Sequence, residues 1–287
     1  MKKVVRGISF LMISTATVCL WSGGAAQNVG QKPSVRFGVC DWTIGKTGDP
    51  AALELASKLG LEGVQVSLVI KNDGLELAQA ALQKSYLEAA EKYGIGIASF
   101  AIGDLNNIPY KSDPRAEKWI EQSIDICRAM NVKIVLVPFF GKGDLKNDPK
   151  GTETVIERLK RVAPKAENAG VILALESWLS AEDHLKILSA VGSPAIQVYY
   201  DVGNSQEAGY DILKEIRLLG ARICQFHAKD YKDLYGKGTM DFKAVRKVMD
   251  EIGYHSWFVL EGTQLPLGIE KSIRYDLDYL RSVFLIR

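Results

Sequence analysis

Histidine is scarce in this chain: 287 residues hold three, His184, His227 and His255. Cysteine is almost as rare, with four, and beyond Cys19 only Cys40, Cys127 and Cys224 remain. These three are far apart in sequence and each sits in an apolar run. An odd number without close spacing excludes a disulfide framework, and buried thiols are expected instead. No charge of one sign dominates, since 36 Lys and Arg face 34 Asp and Glu. Such a surface exerts no general pull on nucleic acid or anionic lipid. The first internal apolar run is followed by "CDWTIGKTGDP", which is not the glycine-rich fingerprint of a dinucleotide-binding fold. No linker or low-complexity tract divides the chain, so one large α/β domain is expected.

A long apolar stretch occurs only at the N-terminus. Lys2, Lys3 and Arg6 precede "ISFLMISTATVCLW", and Gly24 and Ala26 supply small residues before Gln27. This pattern predicts a secretory signal peptide over residues 1–26 rather than a membrane anchor. Val18 before Cys19 is too large for a lipoprotein site. A secreted or periplasmic protein is expected, free of the membrane after cleavage. Cleavage removes three basic residues and no acidic one, leaving 33 against 34.

From residue 33 to 287, short apolar runs alternate with amphipathic stretches. The runs are residues 35–40, 63–68, 96–102, 132–139, 171–177, 196–201, 221–227 and 257–261. Most are β-branched or aromatic on consecutive positions, as strands covered on both faces should be. The stretches between them carry helix signals: Asp49-Pro50 and Asp113-Pro114 as starts, Gly94 as a C-cap, and an internal Pro164 that predicts a kink or break. "SQEAGYDILKEIRLLG" reads as one helix. Eight strand–helix pairs predict an α/β fold of the (β/α)8, or TIM barrel, type. A doubly wound open sheet is the alternative.

Function in such a barrel sits at the C-terminal ends of the strands. Asp41 and Trp42 stand at the first tip, and Glu176, Asp201, His227 and Glu261 at the last four. Their spacings of 25, 26 and 34 residues each match one strand-plus-helix unit. Adjacent strands lie about 4.8 Å apart, so four tips can converge on one cation. Any single strand-end carboxylate could merely cap the next helix. Three crowded together would repel without a positive charge between them. The mostly oxygen donor set favours Mn²⁺ or Mg²⁺, with Co²⁺ or Zn²⁺ as further candidates. His184 is expected to be solvated on a helix, and His255 to lie at the opposite end of the barrel. Trp42 and Trp178 could stack on a sugar face, Lys229 could bind a hydroxyl or oxyanion, and Lys237, between two glycines, suits a loop over the mouth.

The segments "ALES" (Glu176), "YYDVGNSQEAGYD" (Asp201), "FHAKD" (His227), "GKGTMDFKAVRKVMDEIGY" and "FVLEG" (Glu261) resemble the xylose-isomerase-like barrel superfamily of sugar isomerases and epimerases. Endonuclease IV is its nucleic-acid branch. The resemblance implies a divalent metal held by Glu176, Asp201, His227 and Glu261, with Glu176 and Glu261 also moving the substrate proton. The metal would chelate a carbonyl and a neighbouring hydroxyl and stabilise the enediolate left by deprotonation. Endonuclease IV needs several more histidines than this chain has, so no nucleic-acid partner is expected. Ketose epimerases commonly place a histidine where Asn204 stands and an arginine beyond His227, so Asn204 and Lys229 are the expected replacements. The expected partner is a small carbohydrate, free or oxidised rather than phosphorylated in an exported protein. The expected activity is isomerisation or epimerisation. Lyase or hydrolase-type cleavage of 3-keto-glycosides in the same site, and a non-catalytic carbohydrate-binding barrel, are the alternatives.

Overall fold

A computed structural model describes Met1, residues 35–262 and residues 264–285; apart from Met1 the expected signal peptide lies outside these. Eight parallel strands close into a barrel: β1 (Arg36–Cys40), β2 (Gly63–Ser67), β3 (Gly96–Ala101), β4 (Ile134–Phe139), β5 (Ile172–Ser177), β6 (Ile196–Asp201), β7 (Ile223–Ala228) and β8 (Trp257–Leu260). Each strand pairs with its sequence neighbours, and β8 returns to pair with β1. The helices are α1 (Ala51–Leu59), α2 (Ala80–Tyr93), α3 (Arg115–Met130), α4 (Pro149–Ala169), α5 (Ala181–Val191), α6 (Val202–Glu207), α7 (Ile212–Leu219), α8 (Phe242–Glu251) and α9 (Ile269–Phe284). No helix among the described residues is long and apolar enough to cross a membrane.

The main hydrophobic core lies between barrel and helices, where Phe37, Val64, Phe226 and Phe258 of the strands meet Leu53, Trp119, Leu159 and Leu277 of the helices. Helix burial follows the 3.6-residue period: Val155, Leu159, Val162 and Ala166 are the buried stripe of α4. Pro164 does not break this helix. It lies on the exposed side together with Lys160, so the carbonyl it cannot bond is free to meet water. The stretch expected to be one helix after β6 is two. Gly209 takes a φ of 86°, and Asp211 opens α7 by accepting from the Lys214 N–H at 3.1 Å. "KNDG" also forms a small hairpin, Ile70–Lys71 with Gly74–Leu75, whose Asn72 and Asp73 both have positive φ, the signature of a tight hairpin turn.

The barrel interior is less apolar than its outside. At the bottom the Trp257 indole is 7 % exposed and lies under the Arg36 guanidinium at 3.9 Å. Gly63 and Gly96 leave room for that ring. Above it are Gln65, Ser99, Tyr199 and Gln225, all buried. This polar middle lies below the strand tips where the four expected ligands stand.

Candidate active site and metal centre

Register brings the four residues together. Asp201 ends β6 directly opposite His227 of β7. Glu176 is the penultimate residue of β5. Glu261 follows β8 and is tied back by its N–H to the Ala228 carbonyl at 2.9 Å. One ligand atom from each residue lies within 4.8 Å of the other three. Donors sharing a cation at about 2.0–2.6 Å must lie within about 5 Å of each other, so the set fits one ion.

Asp201 shows the fit most directly. Its Oδ1 accepts from the Asn204 N–H at 2.8 Å and caps α6. Its Oδ2 is buried with no hydrogen-bond partner among the described residues. The helix-cap and metal-ligand roles are therefore both available, one oxygen each. Burial pushes the Asp201 carboxyl up to about 8, while the Lys229 ammonium opposes the shift. A cation at the shared point supplies the charge that favours its ionised form.

His227 is fully buried and its two ring nitrogens face different partners. Nδ1 lies 2.7 Å from Glu176 Oε1, 3.6 Å from Glu261 Oε2 and 3.8 Å from Asp201 Oδ2, so it is the nitrogen that a shared cation would meet. Nε2 lies 2.7 Å from Gln65 Oε1. An amide oxygen there accepts the Nε2 proton and leaves Nδ1 free to bind metal, the usual way an outer hydrogen bond orients a ligand imidazole.

Glu261 is held at both oxygens. The Trp42 indole N–H donates to Oε1 at 3.1 Å, and Lys229 Nζ donates to Oε2 at 2.8 Å. Burial opposes ionisation, but Lys229 and His227 outweigh it and pull the carboxyl down to about 2. Lys229 also lies 3.7 Å from Asp201 Oδ2. The loop carrying Trp42 is braced by Asp41, which accepts from the Gly48 and Ser67 N–H groups and the Ser67 hydroxyl.

Above the cluster opens a cleft of about 650 Å³. Trp42, Trp178, Asn204, Lys229, Glu176 and Glu261 all line it. Trp178 packs edge-to-face with Phe140, 5.3 Å between centroids. The Asn204 Oδ1 accepts from the Tyr231 hydroxyl at 2.5 Å. Lys237 does not belong to this lining; its Nζ sits 4.6 Å over the Tyr275 ring on α9, in a turn built by Gly236 at φ 80°. His184 is not solvated. It is 4 % exposed, its Nδ1 donates to the Ser180 carbonyl and its Nε2 accepts from the Ser177 hydroxyl, both at 3.0 Å. His255 is exposed on the loop entering β8.

A family model described as the xylose isomerase-like TIM barrel matches residues 53–283. The chain belongs to this family. Similar proteins include a putative L-ribulose-5-phosphate 3-epimerase of Escherichia coli, 25 % identical over 74 % of this chain and 82 % of its own length. A 2-epi-5-epi-valiolone 7-phosphate 2-epimerase of Actinoplanes is 26 % identical over 68 % of this chain and 72 % of its own. Among solved structures, an L-ribulose 3-epimerase superposes with a TM-score of 0.73 at 19 % identity, covering 88 % of this chain and 95 % of the other. A 3-keto-D-glucoside 4-epimerase of E. coli gives 0.72 at 14 % identity, covering 86 % and 99 %. These structural likenesses concern the fold.

Within this xylose isomerase-like frame, sequence reasoning missed several residues of the site. Gln65 was detectable as a lone amide inside the apolar run "GVQVSL". Asp104, Asn106 and Tyr231 line the cleft from loops, where no periodicity marks a side chain as facing a site.

Proposed function

We propose that this protein is a divalent-metal-dependent isomerase or epimerase of a sugar or sugar derivative. One observation carries the reading: Glu176, Asp201, His227 and Glu261 converge within 4.8 Å on the floor of a cleft walled by tryptophans. The names of its relatives, a putative L-ribulose-5-phosphate 3-epimerase and a 2-epi-5-epi-valiolone 7-phosphate 2-epimerase, support the same reaction type. When bound, a divalent cation polarises a substrate carbonyl and stabilises the negative charge that deprotonation leaves behind. Mn²⁺ or Mg²⁺ suits the oxygen-rich donor set.

The chain's own residues then divide the work. Glu261, ionised and fixed at both oxygens by Trp42 and Lys229, accepts the proton from the carbon beside the carbonyl. Glu176, three strands away on β5, returns a proton from the other side. His227 is ligand only, held by Gln65. Trp42 and Trp178 enclose the sugar, and Asn204 and Lys229 line the reacting end.

The test is solvent deuterium uptake by a panel of free, phosphorylated and 3-keto sugars with the Mn²⁺-loaded protein, followed by product analysis. Epimerisation gives a stereoisomer carrying deuterium at the inverted carbon. A released aglycone would replace this reading by the cleavage reaction, and binding without exchange by the carbohydrate-binding one.

A further inference from the structure

The cleft also bears on what kind of sugar it takes. We infer that the substrate is uncharged and unphosphorylated, and that Asp104 is the residue that discriminates against a phosphate. The inference rests on the proposed sugar-epimerase reading and narrows its substrate class.

The first observation is the charge of the walls. Outside the proposed ligand set, the charged residues lining the cleft among those described are Asp104 and one cation, Lys229. That ammonium is committed, at 2.8 Å to Glu261 and 3.7 Å to Asp201. Turning it to a phosphate would strip a buried carboxylate of its partner. Lys142, next to Gly141 on the rim, is exposed and does not line the cleft. A dianion brought into a partly buried site needs compensating donors of opposite charge.

The second observation is where Asp104 stands. It lies in the short turn Gly103–Asn106 after β3, half-buried, away from the β5–β8 tips that hold the metal-ligand set. Its Oδ2 accepts from the Ile70 N–H at 3.0 Å, which anchors the carboxylate in place. A substrate whose reacting carbons sit over the cluster therefore extends past a fixed negative charge. A hydroxyl there can donate to Asp104; a phosphate meets like charge.

The third observation is the apolar part of the walls. Trp42 follows β1 and Trp178 follows β5, on opposite sides of an eight-stranded ring. Phe140 backs Trp178. Such walls suit the C–H faces of a neutral sugar ring, and Asn106, Asn204 and Tyr231 supply polar edges for its hydroxyls.

The experiment compares D-fructose and L-ribulose with D-fructose 6-phosphate and L-ribulose 5-phosphate on the Mn²⁺-loaded full-length protein. Calorimetry reads binding and deuterium uptake reads turnover, for wild type and Asp104→Asn. Asparagine keeps an oxygen for the Ile70 N–H, so the turn is preserved. The free sugars should bind at least about tenfold tighter than their phosphates, and Asp104→Asn should narrow that ratio by improving the phosphorylated sugars. Phosphorylated sugars bound as well or better, with exchange, would overturn the substrate class and leave the epimerase reading standing. Preference for free sugars without exchange would keep the substrate class and remove the epimerase reading. An unchanged ratio in Asp104→Asn would remove Asp104 from the explanation, and failure of every probe to bind would remove both readings.

Discussion

At the scale of single residues, the site is a set of side chains each held in place by its neighbours. Glu261 and Glu176 are the proposed proton carriers, so Glu261→Gln should abolish substrate deuterium exchange while substrate still binds. Glutamine retains an oxygen for the metal but cannot accept a proton at neutral pH. A loss of roughly 10²–10⁴-fold in turnover is expected, the share of one general acid–base group. Glu176→Gln should behave alike, with bound metal measured on each variant. A metal-replete variant exchanging at the wild-type rate would reduce that carboxylate to a ligand. His184 makes a different prediction. Burial lowers it from 6.5 to about 4 in the folded protein. The folded state thus refuses a proton that the unfolded chain takes up below about pH 6.5. Stability contributed by neutral His184 is complete above that pH and is lost as pH falls toward 4, by about 3 kcal/mol at most. Denaturant unfolding across this range should show the slope, and His184→Gln should flatten it.

At the scale of elements, the strand tips hold the proposed site and the strand bottoms hold the barrel shut. A Cβ on Gly63 would lie 2.5 Å from Trp257 Cη2 and 2.6 Å from Cζ3, inside any tolerable contact. Gly63→Ala should therefore destabilise the fold by about 1–3 kcal/mol through overpacking, read by chemical denaturation. Gly63→Ala with Trp257→Phe should recover part of the loss, because the two sites touch and their effects do not add. The strands were legible because they are buried on both faces and read as continuous apolar runs. The α6–α7 break was not, because it depends on Gly209 and Asp211, which a helical period tolerates on paper. Pro164 does not end α4 because it lies on the exposed side, where the carbonyl it orphans can meet water, and sequence alone does not show which side that is.

At the scale of the whole molecule, the proposed metal centre, three carboxylates and an imidazole crowded at one mouth, predicts that stability depends on the ion. Mn²⁺ at about 100 times its Kd should add about 2.7 kcal/mol, which is several degrees in Tm for a domain of this size at about 2–4 °C per kcal/mol. Chelation should reverse the shift, and a Tm indifferent to both would contradict a shared ion. We also propose export with cleavage before Gln27. Sequencing the mature N-terminus checks this, and a mature protein retaining Met1 would refute it.

Several features were decided by the sequence alone: the alternation of strands and helices, and the spacing that puts Glu176, Asp201, His227 and Glu261 at one level of a barrel. Both follow from periodicity, since each strand-plus-helix unit must return the chain to the same face. What needed tertiary structure was every relation between side chains on non-adjacent segments. Trp42 reads as a sugar-stacking residue and in the fold also donates to Glu261. His184 reads as solvated and is buried against Ser177 and Ser180. Lys237 reads as a lid residue and rests on Tyr275. Asp104 carries no signal in the sequence and stands in the cleft wall. A hydrogen bond depends on a few tenths of an ångström between segments whose separation in sequence says nothing about distance, and only closure of the barrel sets that distance.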